Sequence, residues 1–180
     1  IDKILVGTQA CDILEFEWTG NSKKQEQNGE LISNMQPKVI LKSHYSGELW
    51  GLSTHPSRPE YCTVGDDKCL RIWSVMSRKL LREVDLKAVS RCCAYSPDGY
   101  MIAVGFGKGK GTNKDDGMIR VYRDDPDKPS EPPVQIFETK EAKQWISEIK
   151  FSPDGRTLAV GSHDNSVYLY SVNKQFKRQS

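Results

Sequence analysis

Short apolar segments with alternating polar positions run along most of the chain and predict β-strands. The segments Leu70–Trp73 and Ile119–Tyr122 each alternate apolar and polar side chains with the two-residue period of a half-buried strand. Val, Ile, Tyr, Phe and Thr are frequent in these runs, as they are in strands generally. No stretch keeps the 3.6-residue period of an amphipathic helix. The pattern therefore predicts antiparallel β-meanders.

One order of features occurs three times along the chain. A short apolar strand leads to a Ser-Pro or His-Pro turn, then to a second apolar strand that ends near Gly, then to an Asp and a strand that ends in an aromatic residue. The interval from the Pro to the aromatic residue is 17 residues in the first and third copies and 25 in the second. The pairs are Pro56 and Trp73, Pro97 and Tyr122, and Pro153 and Tyr170.

The length of this repeat indicates its architecture. The shortest full period is 41 residues, within the range of about 40–45 for one four-stranded blade of a β-propeller. The extra residues of the second copy fall between Gly105 and Asp116, and length variation confined to loops is typical of repeat proteins. The copies predict three blades, at 37–75, 76–123 and 134–172, and the second of them has an inserted loop at 107–117. Residues 1–18 are predicted to be the last two strands of a preceding blade, and 173–180 the start of the next blade. The connecting segments are a surface loop at 19–36 and a Pro-rich linker at 124–133.

The repeat count predicts an all-β fold, a β-propeller segment of four-stranded antiparallel blades with about three and a half blades of a larger ring. Propellers close with about four to eight blades, and the first residue is Ile1 rather than Met. We therefore expect an arc of a longer protein, with unpaired strand edges at Ile4 to Phe16 and near Phe176. Such edges predict self-association through the open blades.

The first complete copy resembles the WD-repeat family of β-propellers. It has a His before its inner strand, a Thr in the second strand, an Asp in the tight turn and a Trp at the end of the third strand. In that family this set forms a buried hydrogen-bond chain within a blade. The second and third copies keep the Asp but have Tyr in place of Trp and no early His. The resemblance implies a structural network of His44, Thr63, Asp67, Trp73, Asp116 and Asp164.

Longer runs resemble the echinoderm microtubule-associated protein-like family. These are GELWGLSTHPSRPEYCTVGDDKCLRIW, ISEIKFSPDGRTLAVGSHDNSVYLYSV and the opening ILVGTQACDILEF, and 48–52 and 161–165 are their most particular parts. The resemblance implies tandem propellers associated with microtubules, and therefore a cytoplasmic, cytoskeletal protein-interaction scaffold with tubulin or microtubules as its partner. The alternative is a generic WD-repeat adaptor in another multiprotein complex, with no cytoskeletal role.

The same resemblance places the starts of the inner strands and the Asp-bearing turns on one face of the ring. Trp and Arg are residue types that anchor protein interfaces, so we expect this face to bind a protein. For each Trp, packing between blades is an equally good interpretation. The inserted loop is either a flexible hairpin extension or a segment that contacts a ligand. The candidate protein-binding residues are Glu48, Trp50, Arg91, Trp145, Ser147, Lys108 and Lys110.

Composition and charge exclude several other classes of protein. With 37% apolar and 28% charged residues, the chain is typical of a globular domain rather than a disordered one. A net charge of +2 and the lack of a basic stripe with interleaved aromatic residues argue against nucleic acid. No apolar run reaches the length of a membrane-spanning helix. Five cysteines without a CxxC pair indicate buried free thiols rather than disulfides or zinc.

Catalytic arrangements are also disfavoured. Ser162, His163 and Asp164 are neighbours on one turn and cannot adopt the geometry of a catalytic triad. His44 is interpreted as the structural histidine of its blade, and His55 occupies a turn position where the other copies have Ser. The loop at 107–117 lacks the glycine spacing of a phosphate-binding loop. We therefore predict no catalytic residue, cofactor, metal or small-molecule substrate.

Overall fold

The computed structural model describes residues 2–7, 13–18, 38–41, 44, 47–107 and 114–179. They form two compact units, Ile1–Tyr45 and Ser46–Ser180. A 3₁₀ turn covers Val172–Lys174. The strands are β1 Asp2–Gly7, β2 Ile13–Trp18, β3 Lys38–Leu41, β4 Leu49–Thr54, β5 Glu60–Gly65, β6 Cys69–Ser74, β7 Leu80–Asp85, β8 Ser90–Tyr95, β9 Met101–Phe106, β10 Met118–Arg123, β11 Val134–Lys140, β12 Ile146–Phe151, β13 Thr157–Ser162, β14 Val167–Ser171 and β15 Lys177–Arg178.

The first unit holds one antiparallel sheet with the strand order β1-β2-β3. Ile4 pairs with Phe16 across β1 and β2, and Ile13 pairs with Leu41 across β2 and β3. The predicted surface loop at 19–36 lies outside the described residues.

The second unit contains three four-stranded antiparallel sheets, and in each sheet neighbours in sequence are neighbours in space. We call them blade 1 (β4–β7), blade 2 (β8–β11) and blade 3 (β12–β15). Ser-Pro-Asp-Gly turns connect the first two strands of blades 2 and 3, where Gly99 and Gly155 have φ of +79° and +69°. These are left-handed conformations that glycine adopts without strain. The predicted all-β fold of four-stranded antiparallel blades is confirmed.

The predicted segment boundaries are displaced from the sheets by one strand. β3 belongs to the first sheet instead of the predicted blade at 37–75, and residues 134–140 and 177–178 are the outer strands of blades 2 and 3. The segment at 124–133 therefore connects two strands of one blade, and 173–180 completes blade 3 instead of starting another. The pattern assigned the outer strands to the following blade, because strands at sheet edges have little apolar pattern and β11 exposes most of its side chains.

The C-terminal segment also differs from the prediction, because its strand belongs to blade 3. Phe176, expected near an exposed strand edge, is buried, and its ring stacks on that of Phe137 with centroids 4.8 Å apart. The turn after β14 brings Phe176 back against the outer strand of blade 2.

Two apolar clusters join the blades face to face. Because strand side chains alternate between the faces of a sheet, blade 2 has two apolar faces, and each packs on a neighbour. Blades 1 and 2 are joined by Cys62, Val64, Leu70, Ile72, Leu86, Ala88, Cys93, Tyr95, Ile102, Val104, Phe106, Met118 and Tyr122. Blades 2 and 3 are joined by Cys92, Ala94, Ala103, Ile119, Val121, Ala142, Ile146, Ile149, Leu158, Val160, Tyr168, Tyr170 and Phe176.

Three cysteines, Cys62, Cys92 and Cys93, contribute to these clusters as apolar side chains. Cys62, Cys69, Cys92 and Cys93 are buried and free, as predicted, while Cys11 lies outside the described residues. Burial raises the pKa of Cys92 well above that of an ordinary thiol.

The blade 2–blade 3 contact is so close that it requires a glycine. A Cβ at Gly105 would lie 2.5 Å from Ile146 Cγ2 and 2.6 Å from Cys92 Sγ. Gly161 occupies the same strand position in blade 3, since Gly105 pairs with Cys92 and Gly161 pairs with Glu148 at equivalent bulges. The nearest atom to a Cβ at Gly161 is Ser147 Oγ, at 3.6 Å.

These two glycines form a matched pair for a stability test. Gly105→Ala should lower the free energy of unfolding by about 1–3 kcal/mol, because the methyl group overpacks the seam between blades. Gly161→Ala should leave it unchanged or raise it by up to about 1 kcal/mol, since alanine restricts the unfolded chain and its methyl group makes only ordinary van der Waals contacts. Urea denaturation of both variants measures the difference, and equal losses would contradict the packing described above.

Candidate functional site

The inner strands β4, β8 and β12 all begin at one end of the second unit. In a four-stranded meander, the turn between the second and third strands lies at this same end, so 66–68 and 163–166 join the strand starts there. We call this the upper end, and the end with the Ser-Pro-Asp-Gly turns the lower end. All the predicted protein-binding residues that the structure describes lie at the upper end.

Asp66 holds the start of β4 in place. Its carboxylate accepts hydrogen bonds from the Trp50 indole Nε1, at 3.1 Å, and from the backbone amide of Glu48, also at 3.1 Å. The indole is therefore oriented by a side chain of the neighbouring turn, although 48% of Trp50 is exposed to solvent. Glu48 is exposed beside it. The result is an aromatic surface that is both accessible and rigidly held.

Arg91 of blade 2 lies on this aromatic surface of blade 1. Its guanidinium carbon is 4.1 Å from the centre of the Trp50 ring, a distance suited to a cation–π contact. Its Nη1 is 3.4 Å from Asp66 Oδ1, and its Nε donates a 2.9 Å hydrogen bond to the carbonyl of Gly107. Arg91 therefore connects blade 1 to the base of the inserted loop.

Trp145 continues the row on blade 3. Its ring stacks on that of His163 with centroids 3.6 Å apart and planes inclined by 18°, and the His163 amide donates to the Trp145 carbonyl at 3.0 Å. Gly107 packs against Trp145 so closely that a Cβ there would lie 2.2 Å from Trp145 Cβ. The φ of +135° at Gly107 is a second reason for glycine at this position.

Trp50, Arg91, Trp145 and His163, with Asp66 and Gly107 between them, form what we call the upper strip. Asp66 contacts the predicted residues Glu48, Trp50 and Arg91. Gly107 accepts a hydrogen bond from Arg91 and packs against the predicted residue Trp145. Ser147 instead bonds within its own blade, to the Gly161 carbonyl at 3.1 Å. Lys108 and Lys110 lie outside the described residues.

Asp66 and His163 were missed by the sequence interpretation. A signal for them exists, because each stands immediately before the tight-turn Asp of its blade, Asp67 or Asp164. That position lies beside the start of the inner strand, where the Asp66 amide donates to the Glu48 carbonyl and the His163 amide donates to the Trp145 carbonyl.

Blade 1 contains an internal polar network behind the strip. Trp73 Nε1 donates to Thr63 Oγ1 at 2.7 Å, and both residues are buried. Arg71, fully buried, pairs with Asp67 and donates from Nε to Glu83 Oε2 at 2.8 Å. His44 lies in the first unit, and its part in this network stays a prediction.

The other two blades replace parts of this network. In blade 2, Val104 stands at the position of Thr63, Arg120 donates to Glu138 at 2.6 Å, and Asp116 is buried. In blade 3, Asp164 accepts hydrogen bonds from the Lys143 amide at 2.8 Å and the Tyr168 hydroxyl at 2.8 Å. Burial opposes ionisation of Asp164, but these hydrogen bonds hold the pKa of its carboxyl below the ordinary value.

Ser162 and His163 are residue types found in catalytic sites, but both make structural contacts here. Ser162 Oγ donates to the Gln144 carbonyl at 3.2 Å, while the His163 ring stacks on Trp145. Within the ranges that the structure describes, no three His, Cys, Asp or Glu side chains group together as metal ligands. No helix in those ranges is long and apolar enough to cross a membrane.

Comparison with known proteins identifies the family. A model of the second β-propeller of echinoderm microtubule-associated proteins matches residues 49–180. The chain belongs to this family. Echinoderm microtubule-associated protein-like 3 from Homo sapiens is 32% identical over 161 residues, which are 89% of this chain and 16% of that protein. Echinoderm microtubule-associated protein-like 2 from Homo sapiens is 35% identical over 145 residues, 79% of this chain and 20% of that protein.

This echinoderm microtubule-associated protein-like chain thus spans about a fifth or less of the curated relatives it matches. Its fold is similar to that in the crystal structure of Sqt1 from Saccharomyces cerevisiae, with a TM-score of 0.62 and 20% sequence identity. The match covers 74% of this chain and 35% of the Sqt1 chain. At that identity the likeness concerns the fold alone.

The Trp73–Thr63 hydrogen bond can be tested by removing its acceptor. Thr63→Val keeps the shape of the side chain but leaves the buried indole N–H without this partner, so we expect the free energy of unfolding to fall by about 1–3 kcal/mol. Trp73→Phe combined with Thr63→Val should then cost less than the sum of the two single losses. A double-mutant cycle in urea measures this coupling, and strictly additive losses would contradict it.

Proposed function

We propose that this chain is a non-enzymatic protein-interaction scaffold that binds microtubules in the cytoplasm through its upper strip. The family supports the choice of partner, because the relatives are named as microtubule-associated proteins. The chain spans about a fifth or less of those proteins, and the strip is the surface that we propose makes the contact.

The construction of the strip is the observation that carries this proposal. Trp50 is half exposed, yet hydrogen bonding to Asp66 and the cover of Arg91 fix its orientation before any partner arrives. Trp and Arg are the residues most enriched among those that dominate binding energy at protein interfaces. A rigid aromatic surface loses little conformational entropy on binding, which favours affinity.

The arrangement favours recognition over catalysis. Arg91 is engaged by Trp50, Asp66 and Gly107, and His163 by Trp145. These groups orient one another along a surface. They do not converge on a position where a reacting atom would sit.

Substitution of the strip tests the proposal. Trp50→Ala should weaken binding to taxol-stabilised microtubules about 30-fold or more, since loss of an interface anchor costs about 2 kcal/mol or more. Arg91→Ala should also weaken binding, because it removes the support of the indole ring. Co-sedimentation over a range of microtubule concentrations measures both affinities.

Tyr100→Ala provides the matched control. Tyr100 is an aromatic residue that is 50% exposed, close to the 48% of Trp50, but it lies at the lower end. Its removal should leave binding unchanged. Equal loss for Trp50→Ala and Tyr100→Ala would contradict the strip as the contact surface, and failure of the unsubstituted chain to sediment would favour the alternative of an adaptor without a cytoskeletal role.

A further inference from the structure

A histidine occupies a turn position at the lower end of blade 1 where the other blades have serine. The Ser96 and Ser152 amides donate to Met101 and Thr157 carbonyls at 2.9 and 2.8 Å, and their hydroxyls accept the return bonds at 2.9 and 3.0 Å. The His55 amide makes the equivalent bond to the Glu60 carbonyl at 2.9 Å. The His55 side chain therefore stands where a small hydroxyl group is sufficient in blades 2 and 3.

The His55 ring accepts two backbone hydrogen bonds through one nitrogen. Nδ1 is 3.1 Å from the Ser57 amide nitrogen and 2.8 Å from that of Arg58. A ring nitrogen that accepts hydrogen bonds carries no proton, so the imidazole of this structure is neutral. Protonation would turn Nδ1 into a donor that faces two other donors, and both bonds would be lost.

This ring lies in the seam between blades 1 and 2. Only 8% of His55 is exposed, and its ring meets the edge of the Tyr95 ring with centroids 4.9 Å apart. It packs so tightly on Gly99 that a Cβ there would lie 2.4 Å from His55 Nε2. The turn that His55 organises is therefore also the lower contact of blade 1 with blade 2.

Four charged side chains around the ring balance one another. Arg58 pairs with Asp124 and approaches Glu60 at 3.3 Å, while Arg82 approaches Asp124 at 3.1 Å and Glu60 at 2.6 Å. The side chains of Arg82 and Asp124 are each only 1% exposed. The two cations and two anions cancel, so a proton on His55 would leave this buried group with one unpaired positive charge, and an unpaired buried charge is costly.

We propose that His55 is an acid-sensitive latch, whose protonation releases the turn at 55–60 from blade 2 and opens the lower part of the seam between blades 1 and 2. The upper strip is held by separate contacts at the other end of the same strands. Release at the lower end therefore leaves the Trp50–Arg91 contact in place. Glu60 and Asp124 attract the added proton, but the loss of two amide bonds and the nearness of Arg58 oppose it.

The electrostatic surroundings give the direction of the pH dependence. Burial, and next the positive charge of Arg58, lower the pKa of His55 in the folded protein below its ordinary value of 6.5. Burial raises the pKa of Tyr95, so the Tyr95 hydroxyl stays neutral at the pH values at which His55 gains its proton. Because the unfolded chain binds the proton more readily, stability from His55 is complete above the ordinary pKa and is lost as the pH falls below it.

His55→Ser is the matched variant, since serine forms this turn in blades 2 and 3 and does not titrate. We expect the unfolding equilibrium constant of the unsubstituted chain to rise relative to that of His55→Ser as the pH falls below 6.5, by up to about tenfold per pH unit. Urea denaturation of both proteins between pH 5 and pH 8 measures this ratio. A ratio that does not change with pH would overturn the proposal.

A second measurement on the unsubstituted chain does not depend on how well the variant folds. The ¹⁵N shifts of the His55 ring should report an unprotonated Nδ1 at pH 7 and a titration midpoint below 6.5. The Ser57 and Arg58 amides should lose hydrogen-exchange protection along the same titration, while that of Glu48 should not. Titration of the ring with no loss of protection at Ser57 and Arg58 would contradict the latch.

Discussion

The packing of blade 2 between two neighbouring sheets is the interaction on which the rest of this structure depends. Isolated four-stranded sheets bury too little apolar surface to be stable, and the two clusters on either side of blade 2 supply that burial. The closeness of the contact is visible at Gly105, which lies directly against Ile146. Each blade therefore has its orientation set by the faces it shares, and the positions of the exposed side chains at both ends follow from it.

The candidate site is a consequence of that packing. Trp50 and Arg91 belong to two different sheets and Trp145 directly precedes the first strand of the third, so they form one strip only because those sheets pack face to face. Three kinds of interaction join blades 1 and 2. A cation–π contact lies at the upper end, an apolar cluster in the middle, and His55 with a buried group of charged side chains at the lower end. Apolar burial supplies the stability, while the polar contacts at the two ends fix how the faces align.

Much of the blade architecture could be predicted from the sequence, because the repeat has strong local signals. The Pro-to-aromatic spacing and strand alternation predict the first three strands of each blade. The outer strand β11 was assigned to the wrong blade, because an exposed edge strand has little apolar pattern and sheet membership depends on pairing. Asp66 and His163 were missed because their roles depend on contact with a different strand. The buried Asp124 lay in a segment whose prolines predict only an exposed linker.

The central claim is that a rigid strip across three blades at the upper end is the surface that meets a protein partner. Hydrogen exchange of the unsubstituted chain, with and without taxol-stabilised microtubules, tests it most directly. The account predicts slower exchange on binding at 47–50, 90–91 and 145–147, with no change at the lower turns 96–100 and 152–156. Protection confined to those lower turns, or spread equally over both ends, would contradict it.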